Sequence, residues 1–574
     1  MKLNKEYEQV EELLKQIDPT ETPYESKYQA RTKLNDIIAK LNDLQDSRSH
    51  CQSLLGGLHG QIGIINVDVE EFPEAEKGLK KSVQLLEDVN DNQAFTTISL
   101  LKSLNQLGIL WCLRDNYHEA KIFLDKSLNV YNDFKSKPDE QLYELSDLFK
   151  VSKDIPSPNR AEKEDALELI NTHTQYYLAQ VHEKMGNASK SAECCRITLS
   201  KQLELKAFQP LDWSTNAAML SQHYLVKEDY KSAKTLLIAA SVMLNRHENE
   251  LSSKEVELED DRREMLTRCK ADLARAWGKF ALLLLQRSWD KDLERAQQEN
   301  QLVEVTDEDD EENHAPIDDF PTIENDPELE QIPHEYATNF EQARAIFLPG
   351  QRFLNAAKND YYKFHEHCVD YVDIQRDLSH MHKVLVYFEP DSSRRFKIHK
   401  RRIDLLEPTF QELNLQLFTL LVRQMMYEVA ETYSAMMDIK LEMVKSDPAA
   451  NATPQNLKKV NSLVDSSIKT FQLYLTTLNT NDNKLPEKYP EENERPALVA
   501  YFHMARLYDK YILPERSEAK LKNKMQAFGC YQYIVDYCQR NPDAEDCVQA
   551  ELPLCQEMVA LLPMKITKMR KELM

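Results

Sequence analysis

Glycine is scarce in this chain, 10 residues of 574 against 25 tyrosines. So few leave little material for hairpin turns or phosphate-cradling loops and favour nearly continuous helix. Gly56, Gly57, Gly60 and Gly63 do cluster, but no Lys-Ser or Lys-Thr pair follows and no strand precedes them, which excludes a P-loop; small packing residues on a helix explain them. The ten cysteines form no C-x-x-C, so a zinc ribbon or a thioredoxin motif is excluded as well. Cys530, Cys538, Cys547 and Cys555 fall in helical text and read as reduced core residues. The longest apolar run of note, Phe280 to Leu285, is far too short to span a bilayer. Met1 to Pro19 lacks the apolar segment of a signal peptide, so the expectation is a soluble, cytoplasmic protein with no membrane insertion. Basic charge is also in deficit: 72 Lys and Arg against 96 Asp and Glu give a net charge of −24. That argues against nucleic acid or anionic lipid as ligand and favours a basic protein surface.

What is present is a repeat. Four times a small residue is followed three positions later by a polar or aromatic one, twelve later by a small one and sixteen later by an apolar one. The sets are Gly63, Asn66, Ala75, Leu79; Gly108, Trp111, Ala120, Leu124; Ala179, His182, Ser191, Cys195; and Ser221, Tyr224, Ala233, Leu237. This is the pattern of a tetratricopeptide-type helical hairpin, in which small residues let helix A approach helix B and larger apolar ones fill the seam. Each hairpin leaves an apolar face that stacked neighbours must bury, so the expected fold is an all-α solenoid of helical hairpins. Such a scaffold binds other molecules; nothing in its spacing marks a catalytic arrangement.

The pattern is interrupted from Lys135 to Glu164, a polar segment with Pro138, Pro156 and Pro158 that reads as a loop between helix pairs. It resumes from Ala166 to Trp289. Then come Gln-rich text, the acidic run Asp307 to Glu312, and Pro316, Pro321, Pro327 and Pro333. These divide the chain into an N-terminal solenoid subdomain (1–289), a largely flexible acidic linker (290–335) and a C-terminal subdomain of longer, divergent repeats (336–574). In the last, helical text covers Phe340 to Tyr362, Leu378 to Phe388, Arg394 to Leu406, Leu413 to Val444, Asn456 to Asn479, Arg495 to Leu513, Ser517 to Asn541 and Ala550 to Lys571.

Candidate chemistry is sparse. His365, Glu366, His367 and Cys368 are potential ligands side by side, but adjacent helical residues point about 100° apart and cannot share one ion. No metal and no cofactor are expected. The basic run Arg394 to Arg402 admits a nuclear-localisation or nucleic-acid reading. Its apolar neighbours Ile398, Ile403, Leu405 and Leu406 point instead to a packed helix lying across an acidic one, and its single aromatic, Phe396, is too few for base stacking.

The text becomes specific at Thr172, His173 and Tyr176 to Val181 (YYLAQV), where it resembles the KIF-binding protein (kinesin-binding protein) family. Matching blocks are Tyr24 to Arg31 (YESKYQAR), Leu107 to Trp111 (LGILW), Lys201 to Glu204 (KQLE), Asn216 to Tyr224 (NAAMLSQHY), Lys383 to Glu389 (KVLVYFE), His399 to Pro408 (HKRRIDLLEP) and Ile534 to Cys538 (IVDYC). The resemblance spans the chain. It implies a right-handed solenoid of two subdomains, monomeric alone, whose concave groove takes the microtubule-binding helix of kinesin motor domains, with no enzymatic activity. By that route the family influences microtubule organisation, transport and neuronal outgrowth. It also implies partner contacts at Tyr177, Gln180 and Gln202, with Trp213, Asn216 and Met219 beside them. Met219 stands where the family's block is expected to carry threonine, exchanging a hydroxyl for a thioether. The alternative is a general tetratricopeptide adaptor gripping an acidic peptide tail, which would need a Lys and Asn clamp that is not seen here.

Overall fold

The computed structural model describes residues 2–19, 22–43, 49–89, 93–137, 141–150, 160–253, 260–301, 326–446, 448, 453–480, 484–514 and 517–573. Among them it is built from helices without strands. They form two compact units, the described residues of 2–253 and those of 260–573.

The first unit holds α1 (Lys2–Lys15), α2 (Glu25–Asp43), α3 (Ser49–Asp68), α4 (Phe72–Glu87), α5 (Gln93–Leu113), α6 (Tyr117–Lys135), α7 (Leu145–Leu148), α8 (Arg160–Lys184), α9 (Ala188–Leu205), α10 (Pro210–Val226) and α11 (Tyr230–Ser253). The four expected hairpins are α3/α4, α5/α6, α8/α9 and α10/α11. Their small residues do what the spacing requires. A Cβ added at Gly63 or Gly108 would come within 2.7 Å of the side chain of Leu79 or Leu124, sixteen residues on. In the third hairpin Ser191 Oγ donates to the carbonyl of Ala179 at 2.8 Å, across the twelve-residue interval.

Every hairpin turns in the same way. Glu70, Asp115, Gly186 and Glu228 have positive φ of 62°, 55°, 76° and 61°. Each lies seven residues beyond the small residue of its repeat, and its successor's N–H bonds back to the carbonyl of Asn66, Trp111, His182 or Tyr224 at 2.8–2.9 Å. This is the left-handed helix stop that satisfies the last carbonyls, and only the third hairpin supplies the glycine it favours.

Polar seams join successive hairpins. Ser82 Oγ donates to the carbonyl of Gly56 (2.7 Å) and lies 2.9 Å from Ser103 Oγ, where α3, α4 and α5 meet. Between α5 and α8, Thr174 Oγ1 donates to Asn105 Oδ1 (2.9 Å) and Asn105 Nδ2 donates to the Ile170 carbonyl (3.1 Å). These groups are buried and mutually satisfied, as a dry interface demands.

The second unit holds α12 (Asp260–Gln301), α13 (Pro327–Glu330), α14 (Phe340–Asp360), α15 (Cys368–Phe388), α16 (Ser392–Glu412), α17 (Thr419–Ser446), α18 (Pro454–Thr476), α19 (Glu491–Tyr508), α20 (Glu518–Arg540), a 3-10 turn (Pro542–Val548) and α21 (Leu552–Leu573). Residues 260–289, expected in the first subdomain, belong here: α12 packs on α14 and α15, with Trp277 stacked on Phe353 at 5.4 Å. The first residues of the expected flexible linker are helical instead, since α12 continues to Gln301. Its first turns are tied to α15 by Tyr387 Oη donating to Asp292 (2.7 Å) and by Trp289 against Tyr387. The acidic run 307–312, Pro316 and Pro321 lie outside the described residues. Helix α15 begins ten residues before the expected Leu378, because Asp370 and Asp377 on its polar first turns pair with Arg275 (2.6 Å) and Lys279 (2.8 Å) of α12.

The basic run lies on α16 against an acidic neighbour. Arg402, 4 % exposed, donates to Glu428 Oε1 of α17 at 2.8 Å and to Ser379 Oγ at 3.2 Å, and Arg395 approaches Glu442. His399 accepts from Arg402 at 3.3 Å. Burial, then the surrounding cations, push its imidazole down to about 3. Of the His365 to Cys368 group, His367 stands at the N-terminal boundary of α15 without a side-chain capping bond and stacks on Tyr361 at 4.6 Å. All ten cysteines are free thiols, and burial pushes Cys530 and Cys555 up to about 12.

Candidate protein-binding face

The shared turn puts α3, α5, α8 and α10 in one register. Counted from the small residue of each repeat, offsets −6, −2, +1 and +5 fall within about 60° of one another at 100° per residue and so form one stripe. On α5 the stripe is Lys102, Gln106, Ile109 and Leu113; on α8 it is His173, Tyr177, Gln180 and Lys184; on α10 it is Thr215, Met219, Gln222 and Val226. All twelve side chains are exposed or half-buried, whereas the intervening Leu107, Leu110, Leu178, Val181 and Leu220 are buried. On α3 the corresponding Gln61 and Ile64 line a cavity of about 230 Å³ whose wall includes Tyr7 and Leu14 of α1 and Leu145 of α7.

Three of the six residues implied by the family resemblance lie on this stripe. Tyr177 is half-buried against a cluster containing Ala120, Leu124, Leu178 and Val181, with its ring edge-on to Tyr176 at 5.2 Å; burial raises its phenol. Gln180 is exposed one turn further on. Met219 is 60 % exposed at the offset of Tyr177, two hairpin helices being thus aligned. Asn216 is half-buried one turn before Met219, at the edge of the stripe. Gln202 stands apart, in the last turn of α9, where its carbonyl accepts from Ala207 N–H at 3.1 Å; its side-chain oxygen is out of water without a hydrogen bond.

Trp213 is a correction. It is 1 % exposed and donates Nε1–H to the Leu199 carbonyl at 3.1 Å, beside Phe208. An indole spent in this way seats α10 on α9 and offers no contact surface. The sequence reading missed Leu113 and Val226, which are 57 % and 82 % exposed. The signal was available: both stand five residues beyond the small residue of their repeats.

The stripe carries little of the acid excess. Its α3 member Asp68 is paired with Lys27 at 2.7 Å, and Asp212 stands about two turns before Met219 on α10. Lys102 and Lys184 make no ion pair or hydrogen bond among the described residues. No group of three or more His, Cys, Asp or Glu among those residues is arranged to hold a metal ion, and no described helix is long and apolar enough to cross a membrane.

The family model for the KIF-1 binding protein C-terminal region matches residues 211–569. The chain is 34 % identical to the KIF-binding protein of Gallus gallus over 97 % of this chain and 95 % of the relative, and 32 % identical to that of Danio rerio over 99 % and 96 %. For the Homo sapiens protein the identity is 30 % over 97 % and 95 %. The fold resembles KIFBP as solved by cryo-EM, with a TM-score of 0.66 and 27 % identity covering 100 % of this chain and 99 % of that one. On sequence along nearly its whole length and on fold, the chain belongs to the KIF-binding protein family.

Proposed function

We propose that this protein binds kinesin motor domains and holds their microtubule-binding helix away from the track, inhibiting by occlusion without chemistry of its own. It acts in the cytoplasm on cytoskeleton-associated motors, and so on microtubule organisation, transport and neuronal outgrowth. The observation that carries this is an in-register face of Tyr177, Gln180 and Met219 in a chain whose relatives bear the name KIF-binding protein. Amide and phenol groups over an apolar base suit a helix surface, giving area at low entropy cost and both donors and acceptors. The charge of −24 speeds encounter with a basic motor surface more than it fixes affinity.

The test is co-sedimentation of a purified kinesin motor domain with microtubules in a non-hydrolysable nucleotide state, with and without this protein. Movement of the motor to the supernatant in a stoichiometric complex is expected. Motors that still pellet, across several kinesins, would overturn the proposal and favour a general adaptor. Tyr177→Ala with Gln202→Ala is expected to abolish capture while the protein stays folded.

A further inference from the structure

The charge of the whole chain and the charge of its candidate contact face have opposite signs. At offset +5 the successive helices α5, α8 and α10 present Leu113, Lys184 and Val226, an apolar, cationic, apolar series in an otherwise acidic protein. Isolated exposed apolar side chains are ordinary, but large ones recurring at one register position of a repeat mark a contact surface. Helix α5 packs on α8, whereas α10 packs on α9; packed helices lie about 8–10 Å apart and a crossing helix rises about 1.5 Å per residue, so it would meet α5 and α8 roughly five to seven residues apart and α10 further along.

Resting on the reading that the occupant is a kinesin motor helix, we infer that this row determines specificity by selecting a helix that carries an apolar, an acidic and an apolar residue in that order along one face, Leu113 and Val226 covering the apolar residues and Lys184 meeting the carboxylate. Lys184 supplies the charge complementary to that carboxylate, and the row continues the face of Tyr177, Gln180 and Met219. The acid excess lies elsewhere and steers at long range, and the row supplies the short-range choice.

Lys184→Glu separates the two electrostatic roles, because it makes the protein more acidic. If overall acidity governs affinity the variant binds a motor domain more tightly; if the row governs, it binds several-fold more weakly, mainly through a faster off-rate. Leu113→Asp and Val226→Asp are each expected to weaken binding about tenfold. Ile122→Asp is the control, since Ile122 is 58 % exposed on α6, away from the stripe, and is expected to leave affinity unchanged. Binding is measured by surface-immobilised motor domain against the full chain, with circular dichroism checking each fold. Unchanged or tighter binding by Lys184→Glu, or equal losses in Ile122→Asp and Leu113→Asp, overturns the inference. If the wild type binds and the Tyr177→Ala, Gln202→Ala variant does not, while all three row variants bind normally, only the row assignment falls. If the wild type binds no motor domain, the reading it rests on fails first.

Discussion

Replacing Gly186 by alanine isolates the cost of the hairpin turn from every packing effect. Gly186 has φ of +76°, and a Cβ built there would meet nothing within 4 Å, so the methyl group neither clashes nor gains contacts. What remains is the conformational penalty of an L-residue in the left-handed region, roughly 1–2 kcal/mol. The stiffer unfolded chain returns about 0.4–1 kcal/mol. A net loss of about 1 kcal/mol follows, or fivefold faster amide exchange at the end of α8 and the start of α9. Hydrogen exchange on the full chain is the suitable assay, because a repeat array opens locally and one melting temperature would blur the effect. Gly186→Asn is expected to lose less, since asparagine tolerates the left-handed region, and Asp115→Gly to protect the α5/α6 turn, where φ is 55°. Equal exchange in the wild type and Gly186→Ala, or equal losses for alanine and asparagine, would refute the conformational origin of the turn.

Other expectations follow from the second unit and from α10. Arg402→Met leaves the Glu428 carboxylate without its counter-ion, Ser379 Oγ being its remaining donor, and is expected to cost about 3 kcal/mol, the lower end for a broken buried pair because Glu428 is partly exposed, with much of it recovered in Arg402→Met, Glu428→Met; urea denaturation measures both. His399 and His382, held down to about 3 and about 4 chiefly by burial, take up protons in the unfolded chain before the folded one. Their folded values lie below the unfolded 6.5, so stability falls as pH drops through about 6.5 toward 4, and His399→Gln is expected to flatten that slope. Trp213→Phe removes the bond to Leu199 without emptying the site and is expected to cost about 1 kcal/mol while leaving motor affinity within twofold. Met219→Thr is expected to alter motor preference with no loss of stability, its side chain being mostly in water; a panel of motor domains in pull-down assays reads the change.

The seams of the hairpins were legible because they rest on size: Gly63 meets Leu79, and Gly108 meets Leu124, at the spacing read from the text. Their turns were not, because Glu70, Asp115 and Glu228 take a conformation that composition assigns to glycine, and only Gly186 advertises it. The end of α12 was misread for a related reason. Past Trp289 the helix is polar almost all round, and its order comes from long-range partners such as Tyr387 and Tyr336, over which Lys291 sits at 3.9 Å. At the face, Tyr177, Gln180 and Met219 were reached through family blocks, and the structure adds the register that joins them to Leu113 and Val226. Trp213 shows the limit of a block match, since sequence places a residue on a helix without telling which way its side chain goes.

The hydroxyl and amide seams among α3, α4, α5 and α8 act as locating pins. An oily interface tolerates a helix that slips by a turn or rolls by tens of degrees, because dispersion contacts have little direction. The Asn105 to Thr174 bond and the Ser82 to Ser103 contact do not. A roll of α8 would break the Asn105 to Thr174 bond in a dry interior and would carry Tyr177 and Gln180 out of line with their neighbours. Stability given up to buried polar atoms is thereby converted into angular precision of the binding row.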